Sequence, residues 1–189
     1  MEADKIKECI KDSARELFRR YGYNKTNVNE IAKKAKIAKA TIYKYFDSKE
    51  LILHGILMDY IRKGVNDLIY KSPRDLELEL YLSNLILKVS RLTYTICNEF
   101  IGWDFIRESA NAQEYLKTLS DDLENLLVQS FQQSERVSIP LENLIFLVKS
   151  SKSIVFSFAF TSVSVADVRK NFVSFQNDLL PFLVKGALV

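Results

Sequence analysis

The sequence predicts an all-α protein, and three observations carry that prediction. Five glycines and three prolines in 189 residues leave stretches between breakers long enough for helices of many turns. Apolar residues recur at three- and four-residue intervals along most of those stretches. The short, evenly punctuated runs that mark sandwiches and barrels are few. With 48% hydrophobic and 27% charged residues, the chain can bury a substantial core as one domain, or one plus a small module.

Composition also excludes. Cys9, Cys97 and the single His54 are too few for a disulfide framework or a Cys/His zinc site, and a reducing cytoplasm is the natural compartment. The amino-terminal "MEADKIKECIKDSARELF" is charged throughout, unlike a signal peptide. The run "SIVFSFAFTSVSVA" (153–166) is too short and too interrupted by serine and threonine to span a bilayer, so no membrane is expected. There is no nucleophile-and-base arrangement and no glycine-rich phosphate loop, so no catalytic residue, metal ligand or cofactor is assigned and an enzyme is disfavoured. His54 reads as a surface or packing residue. The net charge of +3 is unevenly divided: residues 1–55 hold 13 Lys/Arg against 8 Asp/Glu, the remainder 14 against 16. The amino-terminal third is the part a polyanion could use, although such a surplus also occurs on ordinary solvated helices.

The first helix is carried by Ile6, Ile10, Ala14, Leu17, Phe18 and Tyr21, and should stop at Gly22, with Arg19 and Arg20 at the negative end of its dipole. Asn27 and Glu30 form a capping-box pair ahead of Val28, Ile31, Ala32 and Ala35, which give a second, short helix one apolar face. After a turn at Lys36 and Ile37, a third helix runs from about Ala38 to Phe46. On it Ala38, Ile42, Tyr45 and Phe46 face inward, while Lys39, Ala40, Tyr43 and Lys44 face outward with Thr41 at the edge. Two ammonium groups, a hydroxyl, a phenol and a small central residue suit close approach to phosphates and base edges. Two short helices joined by a tight turn, the second with such a face, are the parts of a helix-turn-helix reader. A fourth helix opens at "DSKELI", with Asp47 as cap, Glu50 at its third position and Lys49 placed for a phosphate.

The run "ARELFRRYGYNKTNVNEIAKKAKIAKATIYKYFDSKELI" (14–52) resembles the DNA-binding domain of the TetR family of transcription regulators. Leu17, Phe18 and Gly22 match the end of its first helix. Ile31 and Ala32 match the second, Thr41, Tyr43, Tyr45 and Phe46 the recognition helix, and Ser48, Lys49 and Glu50 the opening of the fourth. Three positions depart from the pattern: Lys36 stands for a usual glycine, Ala38 for serine and Asn27 for threonine. The resemblance implies a helix-turn-helix domain over 1–47 and a helical ligand-binding and dimerisation domain over 48–189. It implies that Lys39, Ala40, Thr41, Tyr43 and Lys44 meet the major groove of a double-stranded operator, with Asn27, Lys36, Tyr45 and Lys49 on phosphates.

Beyond the fourth helix (48–71), periodicity predicts helices near 75–95, 97–110, 113–135, 141–160 and 167–187. "DLELELYL" (75–82) and "FSFAFTSVSV" (156–165) also alternate with period two, but helical stripes and the lack of partner strands favour helix. Leu144, Leu147, Ser151, Val155 and Phe158, then Phe172, Phe175, Leu179 and Leu183, form apolar stripes that serve either as intramolecular core or, as the resemblance implies, as a four-helix homodimer interface. Tyr94, Cys97, Phe100, Trp103 and Phe105 cluster around Gly102 and either fill the core or wall a cavity for a small apolar or aromatic effector. The leading expectation is a dimeric, ligand-released repressor. A DNA-bound adaptor that receives a protein instead is the alternative.

Overall fold

A computed structural model describes residues 2–73, 75–100 and 112–189, and every regular element among them is helical. Helices α1 (Glu2–Tyr21), α2 (Val28–Ala35) and α3 (Lys39–Tyr45) form the amino-terminal unit. Helix α4 (Lys49–Lys71) leads into α5 (Leu78–Phe100), α6 (Ala112–Gln132) and α7 (Leu141–Thr161). Helix α8 (Val165–Ser174), a π-helical turn at Phe175–Leu179 and α9 (Leu180–Leu188) close the chain. Both segments with period-two alternation lie in helix apart from a few end residues, and the stretch predicted as helix over 97–110 lies mostly outside the described residues.

Helix α4 is the hub, packing against α1, α5 and α6 through Ile52, Leu53, Ile56, Leu57, Ile61 and Val65, all buried. Gly64 lets α5 come close, since a Cβ there would lie 2.5 Å from Leu92 Cδ2. Lys11 sits inside the α1–α4 contact, where its ammonium pairs with Glu8 and Asp59. Helix α7 packs on α5, α6 and α9. Its 21 residues are long and apolar enough to cross a membrane by length and composition, but Leu144, Leu147, Val148, Val155 and Phe158 are buried within the bundle.

Three local predictions need correction. The cap of α4 is Ser48, whose hydroxyl accepts from Leu51 N at 3.3 Å, so Asp47 lies one residue outside. Either residue can cap. Glu50, displaced from the third position, turns instead to the Tyr23 hydroxyl. The helix predicted over 167–187 is interrupted at the π-helical turn, where Leu180 N bonds Phe175 O. Pro181 supplies the reason: it has no N–H, and its ring would crowd the carbonyl four residues back in a regular helix.

Lys36, the residue in place of the family's glycine, takes up the left-handed conformation (φ 56, ψ 40) that ends α2. A side chain there costs roughly 1–2 kcal/mol, partly offset by the lower entropy of a non-glycine unfolded chain. Lys36→Gly is therefore expected to raise stability by about 0.5–1 kcal/mol, read as a higher urea midpoint at unchanged slope.

Candidate functional site

The recognition surface is built by burying its opposite side. Ile42 is wholly buried in the core, α3 packs on α2, and Tyr45 and Phe46 pack half-buried against the same core. This fixes the rotation of α3, so that Lys39, Ala40, Tyr43 and Lys44 are exposed and Thr41 stands at the boundary. Tyr43 is 44% exposed, with Lys39 Nζ 5.8 Å from its ring centroid, and Lys44 Nζ lies 5.9 Å from that of Tyr45. Ala38, expected on the inward face, is exposed, because it lies at the cap of α3, which it closes without a side-chain bond. Asn27 Oδ1 accepts from Glu30 N at 3.1 Å while Glu30 Oε2 accepts from Asn27 N at 2.9 Å, the capping box the spacing predicts. Lys36 is exposed beside the turn.

Lys49 does not extend from this surface. Its ammonium donates to Tyr23 O and Thr26 O, both at 3.0 Å, and lies 4.0 Å from the Tyr23 ring centroid. Two of its three N–H donors are committed to the loop between α1 and α2. Burial lowers its pKa, partly countered by Glu50. The positive charge placed on phosphate by motif alone thus braces the loop from within.

Beside it, Tyr23 donates to Glu50 Oε1 at 2.7 Å. Burial pushes the Glu50 carboxyl up, but the bonds from Tyr23, Ser48 and its own backbone, with Lys49 nearby, hold it below the usual range. The stabilisation is complete above the ordinary carboxylate pKa of about 4.3 and is lost as pH falls through the lower folded value. Tyr23→Phe should cost about 1 kcal/mol at neutral pH, discounted for the exposure of Glu50, and the deficit should shrink toward pH 3 in denaturant titrations.

A second feature lies inside the carboxy-terminal helices. Ile86, Val89, Ser90 and Thr93 of α5, Leu123 and Leu127 of α6, and Val148, Ser151, Lys152, Val155 and Phe156 of α7 enclose a narrow cleft of about 20 Å³. That is room for one water molecule. Lys152 Nζ donates to Glu124 Oε2 at 2.7 Å and to Ser120 O at 3.0 Å.

Residues 10–56 match the family model for bacterial regulatory proteins of the TetR family, spanning α1 to the start of α4. The chain carries the amino-terminal domain of the TetR family. Over 56 residues this chain is 46% identical to the HTH-type transcriptional regulator YuxN of Bacillus subtilis, a match covering 30% of this chain and only 19% of YuxN. Over 188 residues it is 27% identical to the fatty acid metabolism regulator protein of Bacillus subtilis, covering 94% of this chain and 93% of that one. Its fold is that of the TetR-family repressor AlkX from a Dietzia strain, with TM-score 0.65 and 16% identity over 95% of this chain and 98% of AlkX. These likenesses point to a DNA-binding protein without enzymatic function.

Side chains that motif reading does not reach tie α1 to α5 and α4 to α6. Arg19 of α1 pairs with Glu99 of α5 at 2.9 Å, and its guanidinium lies over the rings of Tyr60 and Phe100. His54 Nε2 lies 2.9 Å from Asp122 Oδ2, tying α4 to α6. The aromatic cluster expected to form one cavity is divided. Phe100 stacks on Tyr60 at this junction, and Tyr94 packs edge-on against Phe172. Cys97 is buried, with its thiol pushed up to about 12 by that burial. None of these three lines the interior cleft, whose α5 wall ends at Thr93, and Trp103 and Phe105 lie outside the described residues.

The stripe named for dimerisation needs a similar correction. Leu144, Leu147, Ser151, Val155, Phe158, Phe172 and Phe175 are buried within this one chain, Leu183 is half-buried, and of the set Leu179 alone is exposed. Ser151 belongs to the cleft. The apolar surface left outside is the opposite face: Ile145, Phe146 and Phe160 of α7 with Val173, Leu179 and Phe182. The outward side of α7 is mixed, with Glu142, Lys149, Ser153 and Ser157 between these apolar residues.

Proposed function

We propose that this chain is a homodimeric, effector-released repressor that acts in the cytoplasm on a palindromic operator. The observation that carries the reading is the outward face of α3, where Lys39, Ala40, Tyr43 and Lys44 project from a helix locked by Ile42. In this reading Lys39, Thr41, Tyr43 and Lys44 contact the major groove, while Lys36, Asn27 and Tyr45 hold phosphates. Two such helices must enter successive major grooves, roughly 34–36 Å apart, which requires two copies of the chain.

The second copy is expected on the apolar face of α7 and α9. Phe146 lies against Gly186, where a Cβ would stand 3.7 Å from the ring, and Phe182 is one helical turn from Gly186. Asn143 Nδ2 donates to Ala187 O at 3.2 Å and ties the two helices together. One contiguous patch results, and paired with its own copy it makes a four-helix contact.

The effector site is assigned to the region between α5, α6 and α7, where apolar walls surround the cleft; at about 20 Å³ it admits more than a water molecule only when these helices part. The full-length likeness to a fatty acid metabolism regulator favours an effector and target genes from lipid metabolism. Helix α6, which carries one wall of the cleft, also carries Asp122, the partner of His54 on α4. A ligand that moves α6 acts through α4 on the spacing of the two α3 helices, and it shifts DNA affinity only as far as it prefers one spacing. Sedimentation of the protein with a short duplex containing its operator tests the assembly. Two protomers per duplex, or a multiple of two, support the reading, and a single protomer per saturated duplex contradicts it.

A further inference from the structure

The loop between α1 and α2 takes its direction from outside itself. Gly22 turns the chain in the left-handed region, Thr26 Oγ1 donates to Gly22 O at 3.0 Å, and Thr26 N reaches Tyr23 O at 3.3 Å. Those bonds shape the loop without tying it to the rest of the molecule. Two consecutive residues at the start of α4 do that. Lys49 Nζ donates to the carbonyls of Tyr23 and Thr26, and Glu50 Oε1 accepts from the Tyr23 hydroxyl. Tyr23 and Thr26 are buried, which shields these bonds from water. Thr26 directly precedes the Asn27 cap, so its carbonyl helps to fix where the first turn of α2 begins. Helix α3 packs on α2, and α2 on α1. Together with the short link from α3 to α4, the braced loop therefore sets the attitude of the helix-turn-helix relative to α4.

We propose that Lys49 and Glu50 are positioning residues for DNA binding, which hold the loop between α1 and α2 so that Asn27 and the first turn of α2 meet the phosphate backbone. This rests on the reading of the amino-terminal unit as the DNA-binding part. Neither side chain touches DNA in this role. Two of the three Lys49 donors are spent on the loop, and the neighbouring Glu50 carboxylate offsets its charge, so the pair offers a phosphate little net attraction.

The test is fluorescence anisotropy across a salt series for the wild-type chain, Lys49→Met and Tyr23→Phe, with circular dichroism to show that each is folded at the assay temperature. Phosphate contacts carry no sequence information, so any duplex that the wild-type chain binds serves. Lys49→Met should weaken binding about tenfold, while the slope of log affinity against log salt stays that of the wild type. Tyr23→Phe removes one bond and no charge, and should weaken binding about threefold at the same slope. A slope flattened by about one for each protomer in Lys49→Met makes Lys49 a phosphate contact and overturns the inference. A folded Lys49→Met that binds as the wild type does makes the brace purely structural, and overturns it too. If Lys49→Met does not fold, Tyr23→Phe decides, and wild-type affinity in that variant overturns the inference. A wild-type chain that binds no duplex even at low salt overturns the DNA-binding reading itself.

Discussion

Replacing Phe146 and Phe182 together by aspartate is expected to convert the dimer to monomers and, with it, to abolish operator binding at concentrations where the wild-type chain saturates. Phe182 is 75% exposed and Phe146 47% exposed in the isolated chain, so neither supports its fold. In a two-fold contact each substitution counts twice. Four phenylalanines at about 2 kcal/mol of burial each amount to about 8 kcal/mol, before the cost of burying carboxylates. Dissociation should therefore weaken the dimer by well over a thousandfold, roughly 4 kcal/mol being enough for that. Sedimentation velocity reads the dimer and circular dichroism the fold. A double variant that remains dimeric removes this face as the interface.

Lys39→Ala with Tyr43→Ala should lower operator affinity by about 30- to 1,000-fold per half-site, from roughly 1–2 kcal/mol at each groove contact. Both side chains lie on the exposed face of α3 and touch mainly each other, so the melting temperature should change little. Lys36→Ala should act differently, weakening native and scrambled DNA alike and flattening the salt dependence by about one phosphate contact. If the double variant keeps wild-type affinity, α3 does not read the site. Lys49 is not the residue to test for phosphate contact, because its ammonium holds Tyr23 O and Thr26 O.

The amino-terminal unit was legible because its signals agree. The Asn27–Glu30 box, Gly22 in the left-handed region and the inward face of Ile42 are local in sequence, and the structure has all three. The intramolecular role of Lys49 is not legible in the sequence, because its partners are carbonyls 23 and 26 residues away, which no local pattern records. Helix α7 misled for a different reason. Ile145, Phe146 and Phe160 stand on its outward face among Glu142, Lys149, Ser153 and Ser157, so which of its apolar residues meet the core depends on how α5, α6 and α9 surround it. The cleft had a faint signal: Lys152 is the only charged residue between Lys149 and Asp167, and an isolated charge in an apolar helix needs a partner. Its counter-ion, Glu124, lies on another helix, as do the hydroxyls of Ser90 and Thr93.

The central claim is sequence-specific DNA binding through α3, and fluorescence anisotropy tests it most directly. The purified chain is titrated into labelled DNA from immediately upstream of its own gene, and into a scrambled duplex of equal length, across a salt series. The account predicts tight binding that prefers the native duplex, with affinity falling steeply as salt rises, as phosphate contacts require. Absence of binding to either duplex, even at low salt, would contradict it.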